Sequence, residues 1–200
     1  MMVSATSPMQ LRGMVRGAYS WAAEQPGKKH AFPVGRVFAE SIGYPVEVLD
    51  AIPCAAWEAF KGVSNVSLFA ELPAGATVLD LGCGSGTDTL IAARRVGSTG
   101  KVIGVDFSST MLSRARQAVR ESGLRTVELR EGDAERLPIE DGEIDLAIVN
   151  GIFNLNPARD AIFRELARVI RSSGSAYVAE LILSHPLPPD IRTGESAWFA

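Results

Sequence analysis

The sequence predicts a doubly wound, mostly parallel α/β sheet carrying an N-terminal helical cap, and three observations point to it. From residue 76 onward, short apolar runs alternate with amphipathic segments of helical period, as in parallel strands joined by helical crossovers. The first strand runs through Val78-Leu79-Asp80-Leu81 into Gly82-Cys83-Gly84-Ser85-Gly86, and a helix opens directly at Thr87. Before it, Pro33, Pro45 and Pro53 cut the chain into short helical pieces.

Residues 1–71 form the cap. A helix is expected over 11–23, ended by the polar turn Gln25-Pro26-Gly27-Lys28-Lys29-His30. Helical spacing returns at Val37, Phe38, Ser41 and Ile42, then over 46–49 and 55–60. Aromatic residues are concentrated here: Tyr19, Trp21, Phe32, Phe38, Tyr44, Trp57 and Phe60. They either pack the cap on the core or wall a ligand pocket.

Residues 72–184 form the sheet domain. Strands are predicted over 77–81, 101–106, 126–130, 144–149 and 176–183. The helix over 87–96 is followed by one that Ser108 or Ser109 can cap and Gly123 can stop. A later helix starts at Asn156 with Pro157 in its first turn, lines one face with Ile162, Phe163, Leu166, Val169 and Ile170, and ends at Ser172-Ser173-Gly174. The expectation is five strands and four helices in strict alternation with right-handed crossovers. Residues 185–200 open a C-terminal segment that stops at Trp198-Phe199-Ala200 without a finished element, which reads as truncation.

Composition narrows the function classes. A net charge of -3 over 200 residues leaves no basic footprint for nucleic acid, and no apolar run is long enough for a membrane span or a secretory signal. A cytoplasmic protein is expected. Two cysteines, Cys54 and Cys83, and two histidines, His30 and His185, show no metal-ligand spacing, so no metal site is expected.

The glycine turn is where the chemistry collects. Glycine permits positive φ and close approach of backbone to ligand, and the helix beyond offers unpaired N–H groups. A dinucleotide fingerprint asks for a small residue at position 87, and this chain has Thr87 there. Gly82, Gly84 and Gly86 instead make G-x-G-x-G behind Asp80, which suits a ligand lacking a pyrophosphate. Asp106, at the end of the second strand and 20 residues beyond Gly86, can accept from ribose hydroxyls in either ligand class.

These residues resemble the class I S-adenosylmethionine-dependent methyltransferases. The 78–86 stretch resembles their first motif, Val105-Asp106-Phe107-Ser108 their second-strand acid, Gly132-Asp133-Ala134-Glu135-Arg136-Leu137-Pro138 the adenine-contacting turn, and 144–150 the fourth-strand motif. The resemblance covers about 72–183 and implies a Rossmann-like core without its last strands. It implies that Gly82, Gly84 and Gly86 cradle the methionine portion of S-adenosylmethionine with Asp80 beneath. Asp106 would hold the ribose hydroxyls, and Phe107 and Met111 would pack near the adenine. Asp133 would accept from the adenine amino group, the Ala134 N–H would donate to the ring, and Asn150 would stand near the sulfonium. Met111 also suits helix core, and Asp145 reads as structural.

A narrower resemblance, to arsenite methyltransferases, is carried by 96–106, Asn150-Gly151-Ile152-Phe153-Asn154-Leu155, Leu187-Pro188-Pro189-Asp190-Ile191-Arg192 and Phe60-Lys61-Gly62-Val63-Ser64-Asn65. Trivalent arsenic is soft and is held by several thiolates. The family's matching cysteines fall at Val63 and Gly151 here, so the reading is a relative that keeps the scaffold and changes the substrate, with a small-molecule methyl acceptor as its partner. His30, Tyr19 and Glu180 are candidate bases, none of them singled out. The alternatives are a non-catalytic or truncated S-adenosylmethionine-binding relative and a nicotinamide-dependent oxidoreductase.

Overall fold

The computed structural model describes residues 8–185, without the side chains of Pro8 and Met9; the rest of the predicted C-terminal segment lies outside the described residues. Helix α1 (Pro8–Glu24) leads into four short cap helices, α2 (Arg36–Ser41), α3 (Val46–Asp50), α4 (Cys54–Trp57) and α5 (Val66–Phe69). The sheet domain follows as β1 (Thr77–Leu81), α6 (Thr87–Val96), β2 (Lys101–Asp106), α7 (Ser109–Ser122), β3 (Val127–Glu131), β4 (Ile144–Asn150), α8 (Arg159–Val169) and β5 (Ile170–Ala179). All strand pairs are parallel, in the order β3-β2-β1-β4-β5.

The caps explain where elements stop. Ser108 accepts from the Met111 N–H at 3.3 Å to start α7, and Gly123, in left-handed conformation, ends it. Val78, Val102 and Ile148 pack against Ala92 and Val96 of α6 on one face of the sheet. Leu79, Ile103 and Val149 pack against Ile162, Leu166 and Val169 of α8 on the other. Each central strand is thus apolar on both sides, as a covered parallel sheet requires.

Two predicted features change. No helix joins β3 to β4: residues 132–143 form a loop, closed by an Asp133–Arg136 bridge and by the Arg130 and Arg168 side chains on its Pro138 and Leu137 carbonyls, so the alternation is not strict. The last strand begins at Ile170, which pairs with Ile144 of β4; Arg171–Gly174 bulge against Asp145, and pairing resumes at Ser175 opposite Leu146. Arg171 Nε reaches Asp145 Oδ1 at 2.9 Å, and Asp145 Oδ2 accepts from the Thr77 N–H at 2.7 Å, a structural role as read from the sequence. Helix α8 starts at Arg159, since Asn156 turns the chain first by accepting from the Ala158 N–H at 2.8 Å.

The cap packs over α6 and α7. Tyr44, Leu49, Ala56 and Phe60 bury themselves against Leu90, Ile91 and Ala118, while α1 meets Met111 through Ala22. Among the described residues no helix is long and apolar enough to cross a membrane.

Candidate active site

The strand order reverses between β1 and β4, and their carboxyl ends open on a cavity of about 380 Å³. That is where ligands settle in an open α/β sheet, and the volume suits a small molecule. Asp80, Gly82, Gly84, Asp106, Phe107, Met111, Asp133, Ala134 and Asn150 all line it. Gly86 stands behind, as the residue from which α6 begins.

The glycine turn is held by backbone bonds from both sides. Gly82 and Cys83 donate to the Val105 carbonyl at 2.8 and 3.1 Å, and Leu90 closes the first turn of α6 on the Gly86 carbonyl at 3.0 Å. Gly82, Gly84 and Gly86 all have positive φ, at 77°, 53° and 93°, a conformation that side chains disfavour. Nothing stands within 4 Å of the place where a Gly84 Cβ would be, so the backbone faces open space.

Asp106 braces this turn. One carboxylate oxygen accepts from the Gly84 N–H at 2.9 Å and the other from the Ser108 N–H at 2.8 Å. Burial pushes its carboxyl upward, and the two N–H groups and the Arg16 charge oppose that shift. Each oxygen keeps a further lone pair for a ligand hydroxyl.

Helix α1 forms the outer wall. Arg12, Val15, Arg16 and Tyr19 line the cavity, Arg16 lies 5.2 Å above the Phe107 ring, and Arg12 pairs with Glu135 of the β3–β4 loop. Asp133 is exposed at the rim beside half-buried Ala134. The aromatics divide: Tyr19 and Phe60 wall the cavity, Tyr44 packs inside, and Trp21 stays half exposed.

Asn150 lines the cavity, but its amide is engaged by the cap. Its Oδ1 accepts from the Val63 and Ser64 N–H groups at 2.8 and 3.2 Å, and its Nδ2 donates to the Ser64 carbonyl at 2.7 Å and to Asp88 Oδ2 at 2.9 Å. Tyr44 donates to Asp88 Oδ1 at 2.6 Å, and Ser67 donates to the same oxygen. Asp88 also lines the cavity and was missed by sequence reasoning; its sequence signal is an acid in the first turn of the helix after the glycines. Asp80, beneath the turn, accepts from the Thr89 hydroxyl. Burial raises both carboxyls, and for Asp80 the nearby Asp88 adds to the rise.

Of the candidate bases, Glu180 accepts from the Phe153 and Leu181 N–H groups at 2.6 and 2.9 Å, and His30 Nε2 sits 2.9 Å from the Gln25 carbonyl oxygen. Tyr19 alone reaches the cavity, its hydroxyl held protonated by burial and by the charges of Asp106 and Glu180. Val63 and Gly151 are neighbours: a Cβ on Gly151 would stand 2.9 Å from Val63 Cγ1. Cys54 is exposed on α4, and Cys83 is buried in the glycine turn.

Residues 72–199 match the family described as Methyltransferase domain. The chain belongs to this family. It is 34% identical over 154 residues to an arsenite methyltransferase of Halobacterium salinarum, a match covering 77% of this chain and 39% of that protein. A demethylmenaquinone methyltransferase of Lactobacillus johnsonii is 35% identical over 131 residues, covering 64% and 52%. This methyltransferase domain thus spans about half or less of the length of these curated relatives. Among solved structures, CrArsM, an arsenic(III) S-adenosylmethionine methyltransferase from Chlamydomonas reinhardtii, superposes with a TM-score of 0.62 at 30% identity, over 83% of this chain and 57% of that one.

S-adenosylmethionine is the cofactor of this methyltransferase family, and the residues present fit it. The open backbone at Gly84 accommodates a close ligand, the free lone pairs of Asp106 match a diol, and the apolar Phe107 and Met111 side chains match a flat base.

Proposed function

We propose that this chain transfers the methyl group of S-adenosylmethionine to a small-molecule acceptor. The observation that carries this reading is the Asp106 carboxylate, which braces Gly84 at 2.9 Å and keeps lone pairs facing the cavity. In it, Gly82 and Gly84 bring backbone against the methionine portion, Asp106 takes the ribose hydroxyls, Phe107 and Met111 flank the adenine, and Asp133 and the Ala134 N–H meet its edge. Asn150 acts one step away, holding the 62–64 loop that closes the acceptor side.

When bound, the cofactor supplies a methyl group activated by a sulfonium. The chain's contribution is orientation and exclusion of water, because charge disperses in such an in-line displacement. Helix α1 and Phe60 wall the cavity from solvent, and the buried glycine turn fixes the donor side.

Similarity to arsenite methyltransferases does not by itself carry arsenic chemistry to this chain. Where the resemblance to arsenite methyltransferases puts two cysteines this chain has Val63 and Gly151, neither of which can supply a thiolate, which favours an acceptor other than a thiophilic metalloid. Calorimetry with S-adenosylhomocysteine, followed by a substrate screen that reads S-adenosylhomocysteine release, tests the proposal. Binding and acceptor-dependent release are expected; binding of NADH with no binding of either sulfur compound would overturn it.

A further inference from the structure

The donor side of the cavity is accounted for by the glycine turn and Asp106; the opposite wall carries polar groups that no role above uses. Tyr19 and Lys61 line the main cavity and also a second space of about 10 Å³ beside it, which Asn154 and Leu181 help to close. A space of that size holds about one oxygen-sized group. It suits the polar end of a ligand whose body occupies the larger cavity.

Three polar groups stand at this wall, and two of them lack a partner of the kind their chemistry asks for. Lys61 Nζ stands 4.8 Å from the Phe38 ring centroid and 5.8 Å from that of Phe32, with no carboxylate in ion-pair range among the described residues. Burial lowers its pKa, the signature of a cation short of a counter-charge. The Tyr19 hydroxyl stays protonated and is therefore a donor. The Asn154 side-chain oxygen is buried without a hydrogen-bond partner. A cation, a hydroxyl donor and an unmet acceptor together describe the complement of an oxyanion that carries a neighbouring hydroxyl.

We propose that Tyr19, Lys61 and Asn154 form the acceptor-recognising wall, and that the acceptor is a phenol- or enol-type hydroxyl compound bound as its oxyanion. The assignment rests on the methyl-transfer reading above. Lys61 pairs with the oxyanion, Tyr19 donates to it, and a second hydroxyl of the acceptor donates to the Asn154 oxygen. The acceptor proton leaves to solvent on binding. The acceptor oxygen then forms the O–CH3 bond with a lone pair as the C–S bond breaks and its electron pair stays on sulfur. The oxyanion and sulfonium charges cancel, so the transfer needs no protein base.

The test titrates 4-nitrocatechol, a diphenol coloured on ionisation, against the 200-residue chain saturated with S-adenosylhomocysteine. Bound dye is expected to ionise about one pH unit lower than free dye, the shift an adjacent opposite charge produces. Lys61→Met and Lys61→Gln should abolish the shift, and Lys61→Arg should keep most of it. Tyr19→Phe should weaken dye binding several-fold. In the unaltered chain 4-nitrophenol, which lacks the second hydroxyl, should bind more weakly than 4-nitrocatechol, and Asn154→Leu should erase that difference. Circular dichroism melts establish that each variant folds, and two neutral replacements of Lys61 guard against one misfolding. Dye that titrates as if free, or a shift that survives a folded Lys61→Met or Lys61→Gln, overturns the proposal. Calorimetry on the same samples separates the two levels: without S-adenosylhomocysteine binding the methyl-transfer reading falls, whereas binding without a dye shift overturns this acceptor assignment alone.

Discussion

Asn150 Nδ2 donates to Asp88 Oδ2 at 2.9 Å, which joins the end of β4 to the first turn of α6 across 62 residues of sequence. The same amide holds the Val63 and Ser64 N–H groups, so one side chain connects sheet, helix and cap. Asn150→Ala would leave those N–H groups and Asp88 without this partner. It should cost about 2–3 kcal/mol, as expected when buried polar groups lose their bonds, read as a lower urea midpoint. Asn150→Asp should cost more, because it sets a second charge against Asp88.

The raised carboxyl pKa values of Asp80, Asp88 and Asp106 give the protein a defined pH response. A carboxyl raised in the folded state binds its proton more tightly there than in the unfolded chain. The contribution of these three groups to stability should therefore be greatest below the ordinary carboxylate range and fall as pH rises from that range through the raised values, opposite in sense to the lowered Glu128, Glu143 and Glu165. The urea midpoint of the unaltered chain minus that of Asp80→Asn, whose amide oxygen can still accept from Thr89, should fall as pH rises across the acidic-to-neutral range.

Asp106 should act on the cofactor and on the turn together. Asp106→Ala removes the acceptor for Gly84 and Ser108, and calorimetry should show S-adenosylhomocysteine affinity lowered by tenfold or more, about 1.4 kcal/mol. Asp106→Asn, which keeps one acceptor oxygen, should fall between. Unchanged affinity in the alanine variant would remove Asp106 from the ribose role.

Placing a cysteine at position 151, where the resemblance to arsenite methyltransferases would put one, should be unfavourable. Gly151 has φ 78°, and its missing Cβ would lie 2.9 Å from Val63 Cγ1. Gly151→Cys should cost about 1–2 kcal/mol from the left-handed backbone alone, with a further penalty for displacing Val63. Adding Val63→Ala should recover only the steric share, seen as a partial return of the melting temperature.

The sheet was legible where local signals agreed. The bounds of β1, α6 and β2 follow from apolar runs ending in glycine turns, and α7 lies between the Ser108 cap and the Gly123 stop. The start of β5 was hidden because Ser172, Ser173 and Gly174 carry loop chemistry, and the strand runs through them as a bulge between the Ile170–Ile144 and Ser175–Leu146 pairs. The cavity-lining acids Asp80 and Asp106 were visible from their places after strand residues. The Tyr44–Asp88–Asn150 cluster was not, since its members are 44 and 62 residues apart and only folding makes them neighbours. Lys61 stood only as one residue of the 60–65 stretch with no chemistry of its own; its setting comes from the rings and cavity around it.

Asn150 grips the 62–64 loop by hydrogen bonds to main-chain N–H and carbonyl groups, which do not depend on the side chain at position 63. The side chain at 63 is therefore a replaceable fitting on a fixed bracket. A change of side chain there would alter the lining of the small space beside the cavity, while the Asn150 bonds to the loop keep their main-chain partners.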